Sequence, residues 1–140
     1  YTQDRFKPQF MVDLATLTGA MMVALGQVNC GFFANNDELA GKLEAASKTA
    51  GEKIWRMPLG EEYNKMMDSD IADMKNAGAR WGGSITAACF LERFVNDLPW
   101  VHMDIAGMAW SSKASSTVPK GGTGWGVRLL NELVQANYES

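Results

Sequence analysis

The feature that most constrains the fold lies near the start of the chain, where a short apolar run leads into a polar turn that contains a glycine. The apolar residues 10–12 are followed by Asp-Leu-Ala-Thr-Leu-Thr-Gly-Ala at 13–20 and then by a segment rich in Ala, Met and Leu. This pattern predicts a buried strand, a turn and a helix. In open α/β sheets, ligands bind beyond the carboxyl ends of the strands. The turn, which carries the hydroxyls of Thr16 and Thr18, is therefore either a binding loop or an ordinary strand-to-helix connection.

The same alternation of short apolar strands and longer helices continues along the chain. Strands are predicted at 9–14, 28–34 and 100–105, and helices at about 19–25, 36–50, 60–67, 85–95 and 124–136. Asn35 and Glu38 have the spacing of a capping box at the start of the second helix. On the last helix, Val127, Leu130 and Val134 form the expected apolar stripe. Strands separated by helices predict an α/β fold with a mostly parallel or mixed sheet and helices on both faces.

Length, charge and cysteine content narrow the class of protein. The 140 residues fit one domain with a core of its own. The net charge of −3 disfavours nucleic acid as a partner, since proteins that bind nucleic acid carry basic patches. No apolar run approaches the ~20 residues that span a bilayer. Cys30 and Cys89 lie in apolar stretches and are predicted to be buried free thiols, with a disulfide as the alternative.

Two carboxylates stand near the ends of predicted strands, Asp13 in the first and Asp104 in the last. If those strands are neighbours, the two side chains could share a divalent cation. The alternative, which we favour, is that each carboxylate accepts backbone N–H groups and fixes a turn. His102 is the single histidine and lies between apolar residues of a strand, which favours a structural role over one as a general base or metal ligand.

Further polar and aromatic side chains lie in the predicted loops. The acidic cluster of Asp68, Asp70 and Asp73 lacks the glycine and the final glutamate of a calcium loop, so a solvated face or a helix cap is the better interpretation. Three cations in glycine- or serine-rich loops could bind anions: Arg80, Lys113 and Lys120. For Arg80 and Lys120 we favour a structural or interface role. Three tryptophans flank glycine-rich segments and could line a pocket: Trp81, Trp110 and Trp125.

Five short motifs follow one another along the chain. They are Asp-Leu-Ala-Thr-Leu-Thr-Gly-Ala at 13–20, Ile-Trp-Arg-Met-Pro-Leu at 54–59, Asp-Ile-Ala-Asp-Met-Lys-Asn at 70–76, Asp-Ile-Ala-Gly at 104–107 and Lys-Gly-Gly-Thr-Gly at 120–124. In this order they resemble the C-terminal part of the catalytic domain in the leucyl aminopeptidase (cytosol aminopeptidase) family, of the bacterial type. The resemblance covers nearly the whole chain.

The resemblance implies an enzyme whose charged catalytic groups lie outside these residues. Enzymes of this family release N-terminal residues from peptides with two divalent metal ions, manganese or zinc, held by Asp, Glu and Lys side chains. The family's Asn-Thr-Asp-Ala-Glu-Gly-Arg signature, which supplies much of that ligand set, does not occur here. We therefore expect residues 1–140 to form the C-terminal part of the catalytic domain, with no catalytic residue and no metal ligand, and to be inactive without the rest of the same enzyme.

The resemblance also implies what this chain contributes to substrate binding. The carbonyl of Leu17 and the N–H of Gly19 would contact the peptide backbone. The pocket for the first side chain would be lined by Thr16, Gly19, Ala106 and Ala109. Some members of the family carry Met at the position of Ala109, so the smaller residue here predicts room for bulky side chains such as Leu or Met.

Assembly and location follow from the same resemblance. It implies a cytoplasmic homohexamer that acts on peptides. The net charge and the short apolar runs disfavour nucleic acid and a membrane as partners. Two other classes of protein remain open at this point. One is a non-catalytic fragment that only makes protein contacts, and the other is a small α/β binding module in which Asp13 and Asp104 are the ligands.

Overall fold

A four-stranded mixed sheet forms the frame of the molecule in the computed structural model, which describes residues 1–139. Its strands are β1 (Met11–Ala15), β2 (Cys30–Ala34), β3 (Ile54–Arg56) and β4 (Trp100–Asp104), in the spatial order β1-β4-β2-β3. Strand β1 runs parallel to β4 and β2 runs parallel to β3, whereas β2 and β4 are antiparallel. The predicted α/β fold with a mostly parallel or mixed sheet is confirmed.

Helices and one short hairpin surround this sheet. The helices are α1 (Thr2–Phe6), α2 (Gly19–Leu25), α3 (Asp37–Ala50), α4 (Glu61–Lys65), α5 (Gly83–Glu92) and α6 (Val127–Asn137). The hairpin pairs β5 (Trp110–Ser111) with β6 (Gly121–Gly122). Over residues 1–139, every helix is too short or too polar to cross a membrane.

Apolar side chains pack against both faces of the sheet. Helices α3 and α6 cover one face, where Phe32 meets Leu43 and Leu129. Helices α2 and α5 cover the other face, where Phe33 packs with Met21. Because successive side chains of a strand point to opposite faces, the neighbours Phe32 and Phe33 serve the two cores separately. The predicted placement of helices on both faces is confirmed.

The start of α3 differs by one residue from the sequence prediction. The side chain of Asn36, not that of Asn35, caps the helix by accepting the N–H of Leu39 at 2.8 Å. The side-chain oxygen of Asn35 instead accepts the N–H of Trp100 at 2.7 Å, at the start of β4. The predicted capping box is therefore wrong, because the side chain of Asn35 binds the backbone of Trp100 and is not available to cap the helix.

The last helix begins three residues later than predicted. Gly124 and Gly126 adopt φ angles of 65° and 95°, which are outside the helical region. The buried carboxylate of Glu52 then accepts the N–H groups of Gly126 at 3.1 Å and Leu129 at 2.9 Å, so it caps α6 from a distant part of the chain. This cap has no local sequence signal because Glu52 precedes the helix by more than seventy residues.

The apolar stripe predicted for the last helix is also wrong. Val127 and Val134 are exposed, whereas Leu129 and Leu133 are buried against α3. Leu130 is half-buried and belongs to both candidate stripes. Both sets of positions have helical spacing, so periodicity alone could not choose between them. The orientation of α6 against the sheet determines which of the two sets of residues is buried.

Gly107 allows the segment after β4 to approach the end of α2. A Cβ atom at Gly107 would lie 2.1 Å from the carbonyl oxygen of Gly26, which follows α2 directly. A backbone oxygen held by a helix end cannot rotate away as a flexible side chain can. The close approach therefore requires glycine at this position.

Replacing Gly107 with alanine is expected to destabilise the fold by about 1–3 kcal/mol, the usual range for forcing extra atoms into a filled space. Gly41→Ala is the matched control, because Gly41 lies inside α3 with open space around a Cβ atom. That change should stabilise the fold by about 1 kcal/mol through helix propensity. Urea-induced unfolding of both variants measures the two effects, and equal midpoints would contradict the packing argument.

Candidate functional site

Two loops leave the sheet at the same edge because their strands are parallel neighbours. Strand β1 pairs with β4 in the register that sets Ala15 beside Asp104. The 16–19 loop follows β1 and leads into α2, and the 105–109 loop follows β4. The N–H of Ile105 donates to the carbonyl of Ala15 at 2.9 Å, which continues the pairing just past the strand. The structure thus brings together the two segments that carry the predicted substrate-binding residues.

The carboxylate of Asp104 lies buried between these loops, with 1% of the residue exposed. One of its oxygens, Oδ1, accepts the backbone N–H groups of Leu17 and Ala106, each at 3.1 Å. The other, Oδ2, accepts the N–H of Thr18 at 3.1 Å and its hydroxyl at 2.6 Å. The prediction that this carboxylate accepts backbone N–H groups and fixes a turn agrees with the structure.

Asp13 has different partners from those predicted. Its Oδ2 accepts the indole N–H of Trp100 at 2.7 Å, and its Oδ1 lies 2.6 Å from Nδ1 of His102. Both partners are side chains of β4, and the strand register places His102 directly beside Asp13. The predicted backbone partners are therefore wrong for Asp13, because its neighbours come from a strand that is distant in sequence.

His102 is part of the packing beneath the loops. The residue is fully buried, and its ring stacks with those of Phe33 and Trp100 at centroid distances of 5.9 and 6.2 Å. An ionised carboxylate only accepts hydrogen bonds, so Asp13 orients the ring with the proton on Nδ1. Nε2 has no hydrogen-bond partner among the residues described. This arrangement agrees with the structural role favoured from the sequence.

The acidic residues of the described chain do not fit a metal centre. Both oxygens of Asp13 and both oxygens of Asp104 are engaged by hydrogen-bond donors of the protein. In the predicted acidic cluster, Asp68 pairs with Arg93 at 2.6 Å, and its other two aspartates are exposed. Across residues 1–139, His, Cys, Asp and Glu side chains form no group of three that could hold a metal ion.

The predicted substrate-binding residues lie in the two loops. Thr16, Leu17 and Gly19 are exposed, and Gly19 is the first residue of α2. Ala106 and Ala109 are half-buried in the second loop. The N–H of a residue at the start of a helix has no acceptor within that helix. The backbone at Gly19 can therefore offer a donor to a ligand at this edge.

An apolar cavity of about 340 Å³ opens beside the 16–19 loop. Leu17 and Thr18 form one wall, and the side of α5 that includes Thr86 and Phe90 forms another. The third wall is the irregular segment 76–79. A volume of this size is within the range of small-molecule pockets. The sequence analysis did not assign residues 77–79 to a site.

The tryptophans and cations suggested by the sequence do not line this cavity. Arg80 stacks over the ring of Trp81 at 5.4 Å, and both are exposed. Trp125 packs against the core formed by α3 and α6. The remaining three are exposed residues of β5 and the loop that follows it: Trp110, Lys113 and Lys120.

Comparison with known proteins decides the family. The family model described as the cytosol aminopeptidase family, catalytic domain, matches residues 1–131. The chain belongs to this family. Probable cytosol aminopeptidases from Rhizobium rhizogenes and Bradyrhizobium are 59% and 60% identical to it over all 140 residues. The chain spans 28% of the length of these relatives and matches their C-terminal part.

Two solved structures superpose closely on this chain. A mutant tomato leucine aminopeptidase has a TM-score of 0.89 at 45% identity, covering 96% of this chain and 26% of its own. The bottromycin maturation enzyme BotP has a TM-score of 0.91 at 40% identity, covering 99% of this chain and 31% of its own. The resemblance stated from the five motifs is therefore confirmed.

Both cysteines of the chain are buried and free, as predicted, and a disulfide between them is not formed. Burial raises the pKa of the Cys30 thiol, and the nearby Asp104 carboxylate adds to the shift. Burial is also the main cause that raises the pKa of Cys89. A raised pKa lowers the fraction of reactive thiolate, so both groups should be inert in the folded protein.

Cys30 and Cys89 are expected to resist iodoacetamide in the folded protein at about pH 8 and to react once it is unfolded, because only the thiolate is nucleophilic. Ser112→Cys, in an exposed loop, is the control and should react without unfolding. Mass spectrometry of the peptides that contain each cysteine provides the measurement. Labelling of Cys30 at the rate of the control would show that the thiol is not sequestered.

Proposed function

We propose that the protein carrying this chain is a metal-dependent leucyl-type aminopeptidase, and that this chain supplies the loops that hold the peptide substrate. The observation that carries the proposal is the pair of loops tied to one buried carboxylate at the edge of the sheet, beside an apolar cavity. Membership of a peptidase family gives the reaction class. Release of the N-terminal residue by hydrolysis is the activity that these relatives' names imply.

The backbone of the first loop would bind the main chain of the peptide. The N–H of Leu17 already donates to Asp104, so this residue would offer its carbonyl to the substrate. Gly19 would offer its N–H from the first turn of α2. One acceptor and one donor, two residues apart, complement the donors and acceptors of an extended peptide.

Side chains of the peptide would be recognised by shape and apolarity. Thr16, Gly19, Ala106 and Ala109 would line the space for the N-terminal side chain. The 340 Å³ cavity beside Leu17 would hold another apolar side chain of the bound peptide. Hydrophobic pockets distinguish side chains by only about 1–3 kcal/mol per methylene group, so broad specificity follows.

The remaining features of the proposed enzyme come from outside this chain. Two divalent metal ions, manganese or zinc, would be held by residues beyond the 140, since the described carboxylates do not fit a metal centre. The assembly would be a homohexamer. Its location would be the cytoplasm, in keeping with the relatives' printed name of cytosol aminopeptidase. Its partners would be peptides and other copies of itself, with neither nucleic acid nor a membrane among them.

The proposal is tested on the purified protein at its full natural length. Its intact mass should exceed the 15.3 kDa of this chain, and it should hydrolyse leucyl peptides when manganese or zinc is added. A chelator should abolish that activity. A full-length protein that hydrolyses no leucyl peptide with either metal would overturn the proposal. An intact mass of 15.3 kDa would instead favour a non-catalytic fragment.

The binding-module alternative has its own test. If Asp13 and Asp104 were metal ligands, changing either to alanine would abolish tight metal binding by the isolated chain. The structure disfavours this outcome because the four oxygens of these carboxylates already accept hydrogen bonds.

Replacing Ala109 with methionine should narrow the proposed pocket. We expect kcat/KM for a leucyl substrate to fall about tenfold or more relative to an alanyl substrate, because a filled pocket rejects the larger side chain. Ala45→Met is the matched control, since Ala45 lies on the exposed side of α3. Steady-state kinetics with leucyl, phenylalanyl and alanyl substrates measures the change. An unaltered ranking of the three substrates would show that Ala109 does not line the pocket.

A further inference from the structure

Asp104 accepts hydrogen bonds from both proposed substrate loops. Its Oδ1 accepts an N–H from Leu17 in the first loop and an N–H from Ala106 in the second. From this geometry we infer that Asp104 is a positioning residue, which fixes the distance and orientation between the two loops and thereby sets the affinity for the peptide. The inference rests on the proposed function, because that function assigns the loops to substrate binding.

The chemistry of the site requires an ionised carboxylate. All four of its partners are donors: three backbone N–H groups and the Thr18 hydroxyl. A carboxylate only accepts, whereas the amide of asparagine would present its N–H₂ to two of these donors. Only 1% of Asp104 is exposed, so water cannot replace the lost partners. Asparagine would therefore lose either the two contacts of Oδ1, with Leu17 and Ala106, or the two contacts of Oδ2, with Thr18.

Thr18 links the carboxylate of Asp104 to helix α2 by hydrogen bonds. Its hydroxyl donates to Asp104 at 2.6 Å and accepts the N–H of Met21 at 3.1 Å. The carboxylate thus holds the first turn of the helix, where Gly19 offers its N–H. Any displacement of the Asp104 side chain would be transmitted through Thr18 to this donor.

The second loop has little freedom to adjust by itself. The N–H of Ile105 donates to Ala15, and Gly107 packs against the backbone of Gly26. The loop is therefore held between the end of β1 and the end of α2. The shared carboxylate adds a direct tie between the two loops, since Ala106 and Leu17 donate to the same oxygen.

The test compares Asp104→Asn with Glu52→Gln in the full-length enzyme. Glu52 is a matched control because it is also a buried carboxylate, 4% exposed, that accepts two backbone N–H groups. It caps α6 and makes no hydrogen bond to either loop. Both variants should lower the melting temperature, whereas only Asp104→Asn disturbs the proposed binding site.

For Asp104→Asn we expect KM for a leucyl peptide to rise about tenfold or more at a temperature well below unfolding, because contacts that bind the substrate are misplaced. Glu52→Gln should leave KM within about twofold of the unmodified enzyme. A rise in KM of the same size in both variants would mean that the effect reflects general stability, and would overturn the inference.

A second pair of variants keeps the test decisive if Asp104→Asn does not fold. Thr18→Val removes the hydroxyl and preserves the shape of the side chain, whereas Thr18→Ser retains the hydroxyl. We expect Thr18→Val to raise KM several-fold, on the order of fivefold for the loss of one contact in the network, and Thr18→Ser to restore it. Equal KM values for the two variants would contradict the relay from Asp104 to α2.

Amide hydrogen exchange separates this inference from the proposed function. In Asp104→Ala, which removes the acceptors of both loops, exchange should quicken at residues 16–19 and 105–109, whereas Glu52→Ala should quicken it only around the start of α6. If the unmodified enzyme hydrolyses no peptide, the proposed function is wrong. The exchange data then still show whether Asp104 holds the two loops together. Quickened exchange in only one loop, or in neither, would overturn the role assigned to Asp104.

Discussion

The carboxylate of Asp104, buried where two parallel strands end, organises the edge of the sheet that carries the candidate site. Burial of an ionised group without partners is strongly unfavourable, and here four donors replace the lost water. Each buried donor that loses its acceptor costs about 1–3 kcal/mol. The conformations of the 16–19 loop and of the segment after β4 therefore depend on the same side chain.

The pairing of β1 with β4 makes this arrangement possible. Because the strands are parallel, both chains leave the sheet at the same edge, and their polar ends meet there. The antiparallel neighbour β2 does not contribute a loop to that edge after its last residue. One face of the sheet holds an apolar core with α3 and α6. The other face combines an apolar core with the hydrogen-bonded network of Asp13, Trp100 and His102.

Prediction from sequence succeeded where the signal is local. The 16–19 turn and the α2 helix follow from residues that are neighbours in the chain. It failed where a distant residue intervened. Glu52 caps α6 across the fold, and the exposure of Val134 depends on how that helix packs on α3. Apolar residues recur at helical spacing on both sides of α6, so only the packing distinguishes the buried side from the exposed one.

The sequence by itself determined the strand–turn–helix start, the α/β class and, through five ordered motifs, the membership of the cytosol aminopeptidase family. Those properties depend on residue type and short spacing. Only the tertiary structure decided that Asp13 binds two side chains of β4, that Asp104 joins two loops, and that segment 76–79 forms a wall of the cavity. The physical reason is that hydrogen bonds and pockets form between groups that are close in space, and strand order and register set which distant residues meet.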